Sequence, residues 1–372
     1  MNTPHVALDL FPELPAPVLE KPKRAKRVAA SRTLPQTAAQ PAYDAPNLAD
    51  PHATELASVL TAGAISKVAP DAAFLEAMAQ QLEVQGDFRV LRRLKPQLSW
   101  PGAPTGSVTR VVVLDTETTG LDQGREKIIE LAMLRVDIDN ATGLPVGPVQ
   151  VYDGLEDPGK PIPPEVVALT GIHDADVEGQ HLDEARVAEL LDGVDLVIAH
   201  NAGFDRPFVE NRMAQFAHLN WACSFADIDW KAQGRGSAKL ENLAQANGWF
   251  YDAHRAEMDC HALLAVLAQQ LPAGAHTGLA QLLQAVSRPN YSLQATNAPF
   301  EAKDKLKARG YRWNAEQRVW HTRLKTDEEL DAEYTWLKEH VYGQRRALVQ
   351  LEKQDAKVRF SNRPGVVTHQ QL

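Results

Sequence analysis

Asp115 and Glu117 stand two residues apart, directly after the apolar run Arg110-Val111-Val112-Val113-Leu114. Alternation along a strand points both carboxylates to one side of a sheet. They would lie at the carboxyl end of that strand, where open α/β sheets build their sites. A second apolar run, 195–199, ends in His200-Asn201-Ala202-Gly203-Phe204-Asp205, with Asp205 at the start of a helix. Asp259 falls in the first turn of a third element, the apolar helix expected over 257–271, and His254 lies on the loop leading into it. Taken singly, each has a plain structural explanation: a solvated turn for the first pair, helix capping for Asp205 and Asp259, and a loop histidine without a task.

Taken together, they point to chemistry. Four carboxylates gathered in one domain repel one another unless cations stand between them. Two divalent ions about 3.5–4 Å apart would relieve that repulsion, and would clamp the attacking and leaving oxygens of a phosphodiester. Donor sets made wholly of oxygen select Mg²⁺ or Mn²⁺. An imidazole that titrates near neutral pH can take the proton of an attacking water.

The elements that must position these groups are legible in outline. Short continuous apolar runs at 110–114 and 195–199 read as strands buried on both faces, with sheet neighbours at 128–136 and 148–154. Helices are expected over 182–191, 208–216, 239–247 and 257–271. Strands followed by alternating helices and strands describe a three-layer α/β domain with a mixed sheet. Upstream, Phe74/Leu75, Met78 and Leu82 are spaced as an amphipathic helix, and a second, arginine-rich helix is expected over 88–94, stopping before Pro96.

The order Asp115-Thr116-Glu117-Thr118-Thr119-Gly120, then His200 to Asp205, then His254-x4-Asp259 resembles the three motifs of the DEDDh family of exonucleases. Lys127-Ile128-Ile129-Glu130-Leu131-Ala132 and Leu169-Thr170-Gly171-Ile172 are similar to segments of its branch that includes the proofreading epsilon subunit of bacterial DNA polymerase III. The resemblance covers roughly 108–271. It implies a ribonuclease H-like fold and metal-dependent 3′→5′ release of nucleoside monophosphates. Carried over by position, Asp115, Glu117 and Asp259 would hold the metal that activates water. Asp115 would bridge to a second metal supported by Asp205, and His254 would be the general base. Thr118, Leu121, Phe204, His200 and Asn201 are the expected contacts to the terminal nucleotide. His200 also reads as a supporting histidine.

Net charge is −9, but it is unevenly spread: 107–271 carries 12 Lys/Arg against 27 Asp/Glu, and 301–325 carries 8 against 3. A basic appendage on an acidic body suits a polyanionic substrate. Lysines and arginines surround Tyr311, Trp313 and Trp320, a pattern that suits single-stranded nucleic acid, so Arg312 and Trp313 join the candidate contacts. For Trp313 and Trp320 the core of so small a unit is the preferred expectation, with the Lys/Arg shell left to bind the backbone. Period-2 spacing places Tyr311 and Trp313 on one face of a hairpin.

Composition narrows the rest. Hydrophobic residues make up 44% and charged residues 23%, as in soluble globular chains. No apolar run reaches 18 residues, and the basic cluster at 21–27 lacks the apolar stretch of a secretory signal. Two cysteines, Cys223 and Cys260, exclude a disulfide scaffold and a cysteine zinc site. A cytoplasmic protein without membrane contact is the expectation. The expected organisation is a disordered Pro/Ala-rich tail over 1–53 and a helical segment over 54–106. The exonuclease domain follows over 107–272, then a linker over 273–290, a small α+β basic unit over 291–345 and a polar tail over 346–372. DNA is the expected substrate and a polymerase or repair protein a candidate partner, with an exoribonuclease or an inactive binding scaffold as the alternatives.

Overall fold

Continuous apolar runs in the middle of the chain become neighbouring strands of one sheet. The computed structural model describes residues 71–372, so the expected tail over 1–53 lies outside the described residues. Helix α1 (Ala72–Val84) precedes two short strands, β1 (Arg92–Arg93) and β2 (Ser99–Trp100), and then the long strands β3 (Val108–Thr118), β4 (Ile128–Asp139) and β5 (Leu144–Leu155). Helices α2 (Pro164–Thr170), α3 (Asp174–Val177) and α4 (Glu184–Leu191) lead to β6 (Leu196–Ala199), α5 (Ala202–Arg212), β7 (Trp221–Cys223) and α6 (Ser224–Asp227). Next come α7 (Leu240–Ala246), β8 (Trp249–Phe250), α8 (Ala256–Leu267) and α9 (Gly278–Val286).

The main sheet has the order β2-β5-β4-β3-β6-β7. Strands β2 to β3 in that order are antiparallel neighbours, while β6 runs parallel to β3 and β7 parallel to β6. A meander followed by parallel crossovers is the mixed, ribonuclease H-like sheet that the resemblance implies. Strand alternation then assigns the layers. Val111 and Val113 of β3 pack with Cys260, Leu263 and Leu267 of α8. Val112 and Leu114 pack with Val187 and Leu190 of α4 and with Phe208 and Val209 of α5. Each fully buried aliphatic side chain contributes about 1.5–3 kcal/mol, so the two rows together fix which face of β3 meets which helix.

Two expectations need correction. Residues 88–94 are not helical: Arg92 N–H donates to Gly248 O (2.9 Å) and Leu94 N–H to Phe250 O (2.8 Å), so β1 pairs parallel with β8. The extended chain buries Leu94 in the core, and the Arg92 guanidinium pairs with Glu76 and Glu83 of α1. The polar tail over 346–372 is likewise ordered into strands, because its backbone completes a ladder that its polar side chains do not announce.

Those strands belong to the C-terminal unit, which comprises β9 (Asn290–Ala295), α10 (Lys303–Ala308), β10 (Arg312–Asn314), β11 (Val319–Leu324), α11 (Asp327–Leu337), β12 (Leu348–Gln354) and β13 (Val366–Gln371). Its sheet has the order β10-β11-β9-β12-β13 and is antiparallel throughout. Tyr291, Leu293, Leu306, Tyr311, Leu337 and Val349 form its core. Tyr311 is buried and stacks on Trp336, whereas Trp313 is 50% exposed and leans on Trp320 at 5.6 Å. The two rings therefore do not share a face as the spacing suggests, because Tyr311 precedes β10 and turns inward.

The loop between β12 and β13 binds the unit to the body of the protein. Trp221 N–H, on strand β7, donates to Ala356 O (2.8 Å). The fully buried Arg206 of α5 donates to Arg359 O (2.7 Å), Ala356 O (3.3 Å) and Lys357 O, and pairs with Glu210 (2.6 Å). Ser361 and Arg363 also bond Glu210, and Arg359 pairs with Asp227. At the other end of the main sheet, β2 pairs with β5 through Ser99–Pro148 and Trp100–Gly147. No helix among the described residues is long and apolar enough to cross a membrane.

Candidate active site

Asp115 and Glu117 continue the β3 row of Val111 and Val113, so they face α8. The first turn of α8 carries Asp259, and carboxylate oxygens of Asp115, Glu117 and Asp259 all lie within 4.8 Å of one another. Thr116 continues the opposite row, toward α5. The buried Asp205, in the first turn of α5, accepts from Thr116 N–H (3.1 Å) and Thr116 Oγ1 (2.9 Å) on its Oδ1. Three carboxylates thus gather on one face, and Asp205 reaches the same strand end from the other. A register shift between Glu117 and Thr118 ends the regular β3–β4 ladder there.

A set of hydrogen bonds holds Asp259 and the His254 loop. Tyr251 Oη donates to Asp259 Oδ1 (2.7 Å), and His254 N–H donates to Asp259 Oδ2 (2.8 Å). The latter bond is made with His254 at φ 65°, a left-handed conformation uncommon for a non-glycine residue. Glu130 lies opposite Glu117 across the β3–β4 ladder and is fully buried. Its Oε1 accepts from Arg255 Nη2 (2.8 Å) and Nε (3.0 Å), and its Oε2 from Ala256 N–H (2.9 Å). These roles of Tyr251, Glu130 and Arg255 were missed in the sequence. The signal was present for Glu130 alone, as a carboxylate inside an apolar strand run that must find a partner when buried.

The electrostatics are those of a site built for cations. Burial, reinforced by Asp205, Asp259 and Glu117, raises the Asp115 carboxyl well above its usual range. Burial raises Glu117 likewise, with Asp259 and Glu130 adding to it, and it also raises Asp259. Asp205 is pushed up to about 7 by burial, against the hydrogen bonds from Thr116. Crowded carboxylates that hold protons when bare are the donor chemistry of hard divalent ions, so Asp115, Glu117 and Asp259 could hold a divalent cation.

The expected substrate contacts fare unevenly. Leu121 is 56% exposed on the loop beyond β3, and Phe204 is partly buried against Phe208 at 5.0 Å. Asn201 stands at the N-terminus of α5 without a capping bond from its side chain. Thr118 is buried, and its hydroxyl donates to Gly120 O (2.7 Å), shaping the turn. His200 is a correction: both ring nitrogens are occupied, Nδ1 by Ser224 Oγ (2.6 Å) and Nε2 by Ala238 O (2.8 Å). It braces the start of α6 against the loop at Ala238 from a buried position and leaves no nitrogen for substrate. Arg312 and Trp313 lie exposed on β10, in the C-terminal unit rather than at the carboxylates. Both cysteines are buried; Cys260 Sγ donates to Ala132 O, and burial pushes the Cys223 thiol up to about 12, away from redox chemistry.

Residues 112–267 match the exonuclease family, RNase_T. The chain is 35% identical over 100 residues to a PolC-type DNA polymerase III of Halalkalibacterium halodurans, covering 26% of this chain and 6% of that protein. It is 38% identical over 105 residues to a DNA polymerase III subunit epsilon-like protein of Rhodobacter capsulatus, covering 27% of this chain and 14% of that one. The match therefore spans a small part of the length of these relatives. Among solved structures, exonuclease X with 5′-overhanging duplex DNA is 26% identical at a TM-score of 0.31, covering 42% of this chain and 89% of that one. The zinc-bound Escherichia coli exonuclease I complex with single-stranded DNA is 19% identical at 0.37, covering 51% and 48%.

Proposed function

With residues 112–267 forming an exonuclease-family domain, we propose that the protein is a metal-dependent 3′→5′ exonuclease that releases nucleoside monophosphates from DNA 3′ ends, with single strands preferred. The observation that carries this reading is the convergence of Asp115, Glu117 and Asp259 within 4.8 Å at the carboxyl end of β3. Asp115, Glu117, Asp205 and Asp259 would hold Mg²⁺ or Mn²⁺, two ions in all. Bound there, the metal supplies the positive charge that offsets a phosphodiester and activates water. The protein's own groups do the rest. Asp205 locks the strand end through Thr116, Tyr251 and the His254 amide orient Asp259, and the His254 imidazole accepts the proton of the attacking water. Leu121 and Phe204 offer apolar contact to the terminal base, with Asn201 and the Thr118 turn beside them. Arg312 and Trp313 give the basic unit a phosphate contact and a ring for an unstacked base. DNA as substrate is supported by the polymerase relatives, which also make a polymerase or repair protein the partner to seek.

The test is a 5′-labelled single-stranded DNA and the same sequence as RNA, each incubated with Mg²⁺, Mn²⁺ or EDTA. A descending DNA ladder that EDTA abolishes, and that Asp115→Ala reduces at least about a hundredfold with an unchanged circular dichroism spectrum, is expected. Degradation confined to RNA would replace DNA by RNA as substrate. Binding without degradation of either would overturn the enzymatic reading in favour of a scaffold.

A further inference from the structure

Alternation along its strands gives the C-terminal sheet two unlike faces. Leu293 of β9, Leu324 of β11 and Val349 of β12 pack with Leu306 of α10 and Leu337 of α11. The helices therefore cover one face, and the alternate residues stand on the other. There the register aligns one residue from every strand. Arg312 lies opposite His321, His321 opposite Gln294, Gln294 opposite Gln350, and Gln350 opposite His369. We propose that this row, with Arg323 beside it, is a binding track for single-stranded nucleic acid that crosses the sheet from β10 to β13.

Two properties of the row identify its occupant. It holds donors and no acid, and most of those donors are free. Among the described residues, the side chains of Arg312, His321, Arg323, Gln350 and His369 make no hydrogen bond or ion pair. Only Gln294 is engaged, its Nε2 donating to Gln317 Oε1 (3.2 Å). Arg312, Arg323 and His369 are exposed, while Gln294, His321 and Gln350 are half-buried between neighbouring strands. Burial, with the guanidinium groups of Arg323 and Arg312 close by, holds the His321 imidazole below its usual range. Positive charge thus gathers at the β10–β11 end. Glu352, the one acid on this face of the strands, has its Oε1 taken by Gly365 N–H (2.7 Å) and Gln354 Nε2 (2.9 Å). Charge complementarity then selects a polyanion, because guanidinium groups take phosphates while amides and imidazoles reach the edges of unstacked bases. The row itself offers an apolar partner no anchor. Strands about 4.8 Å apart make it about 19 Å long, enough for several nucleotides. Trp313 pairs with Trp320 on the helix-covered face and lies off the row. The track rests on the reading of the substrate as nucleic acid, but it needs no metal, so binding in EDTA tests it apart from cleavage.

The full-length protein in EDTA is titrated into fluorescein-labelled dT and rU oligonucleotides of about 12 nucleotides while anisotropy is followed at several salt concentrations. Arg323→Glu and His369→Glu, both at exposed positions, should each weaken binding at least about tenfold, and Arg323→Glu should lower the salt slope by about one. Lys307→Glu makes the same charge change as Arg323→Glu on exposed α10, at the covered side of the sheet, and should weaken binding less than about twofold. Melting temperatures should match that of the unmodified protein in all three. The proposal is overturned if either row variant binds like the unmodified protein, or if Lys307→Glu weakens binding as much as they do. Arg323-dependent binding of poly-glutamate in place of both oligonucleotides would also overturn it and make an acidic protein segment the occupant. Cleavage in Mg²⁺ without a row-dependent grip would leave the nuclease reading standing alone, and a row-dependent grip without cleavage would leave the track standing alone.

Discussion

At the scale of single residues, the proposed metal role of Asp259 separates holding a metal from aiming its ligand. Asp259 has both oxygens engaged, one by the Tyr251 hydroxyl and one by the His254 amide. Hydrogen-bonded partners of a metal ligand typically contribute about 10–100-fold to metal affinity. Tyr251→Phe removes one oxygen atom and its proton and leaves the ring packed. It should raise the Mg²⁺ concentration needed for half-maximal cleavage by about tenfold, with a matching loss in a Mn²⁺ titration followed by electron paramagnetic resonance. A shift in melting temperature with unchanged Mn²⁺ binding would make Tyr251 a packing residue only. The acidic pairs themselves were legible in the sequence because type and order carry them. Tyr251 was not, because a tyrosine three residues before a histidine has no signature of its own.

At the scale of elements, β3 was legible down to its facing rule, since period-2 alternation fixes Asp115 and Glu117 on the α8 side once Val111 and Val113 are core. His200 shows where such reasoning stops. Its position after β6 suits a site residue, yet its partners Ser224, at the start of α6, and Ala238, in a loop, are 24 and 38 residues away, and no local pattern encodes that meeting. Burial lowers the His200 imidazole from about 6.5 to about 4. Its folded value lies below its unfolded one, so its contribution is complete above about pH 6.5 and is lost as pH falls toward 4, about 3 kcal/mol in all. His200→Gln should lower stability at pH 8 and flatten this acid limb in urea unfolding followed from pH 8 to pH 4.5. An unchanged limb would assign it to other groups. The misread segment 88–94 has the same cause as His200, because its pairing with β8 joins residues more than 150 positions apart.

At the scale of the whole molecule, the basic unit is fastened to the very helix that carries Asp205. Arg206 follows Asp205 in sequence but points the other way, into the carbonyls of the β12–β13 loop. Removing one member of a buried charged network costs about 3–5 kcal/mol, because its partners stay buried without it. Arg206→Met should destabilise the protein by that order in urea unfolding, and should speed proteolysis within 355–365. Equal proteolysis in both proteins would show that the other contacts suffice. The charge asymmetry of the sequence announced a basic appendage, but its attachment is made by backbone carbonyls, which composition does not register.

That attachment bears on where the chain can safely be cut. The main sheet ends on one side at β7, whose Trp221 N–H is taken by Ala356, and on the other at the short β2, which covers β5. Both covers lie outside the family-matched stretch 112–267. An uncovered strand edge is a template for pairing with another chain. A fragment trimmed to 112–267 would keep Asp115, Glu117, Asp205 and Asp259 and lose both covers, so it should self-associate in light scattering where the full chain does not. The flanking segments would thus act as guards against aggregation, apart from any substrate contacts proposed for them.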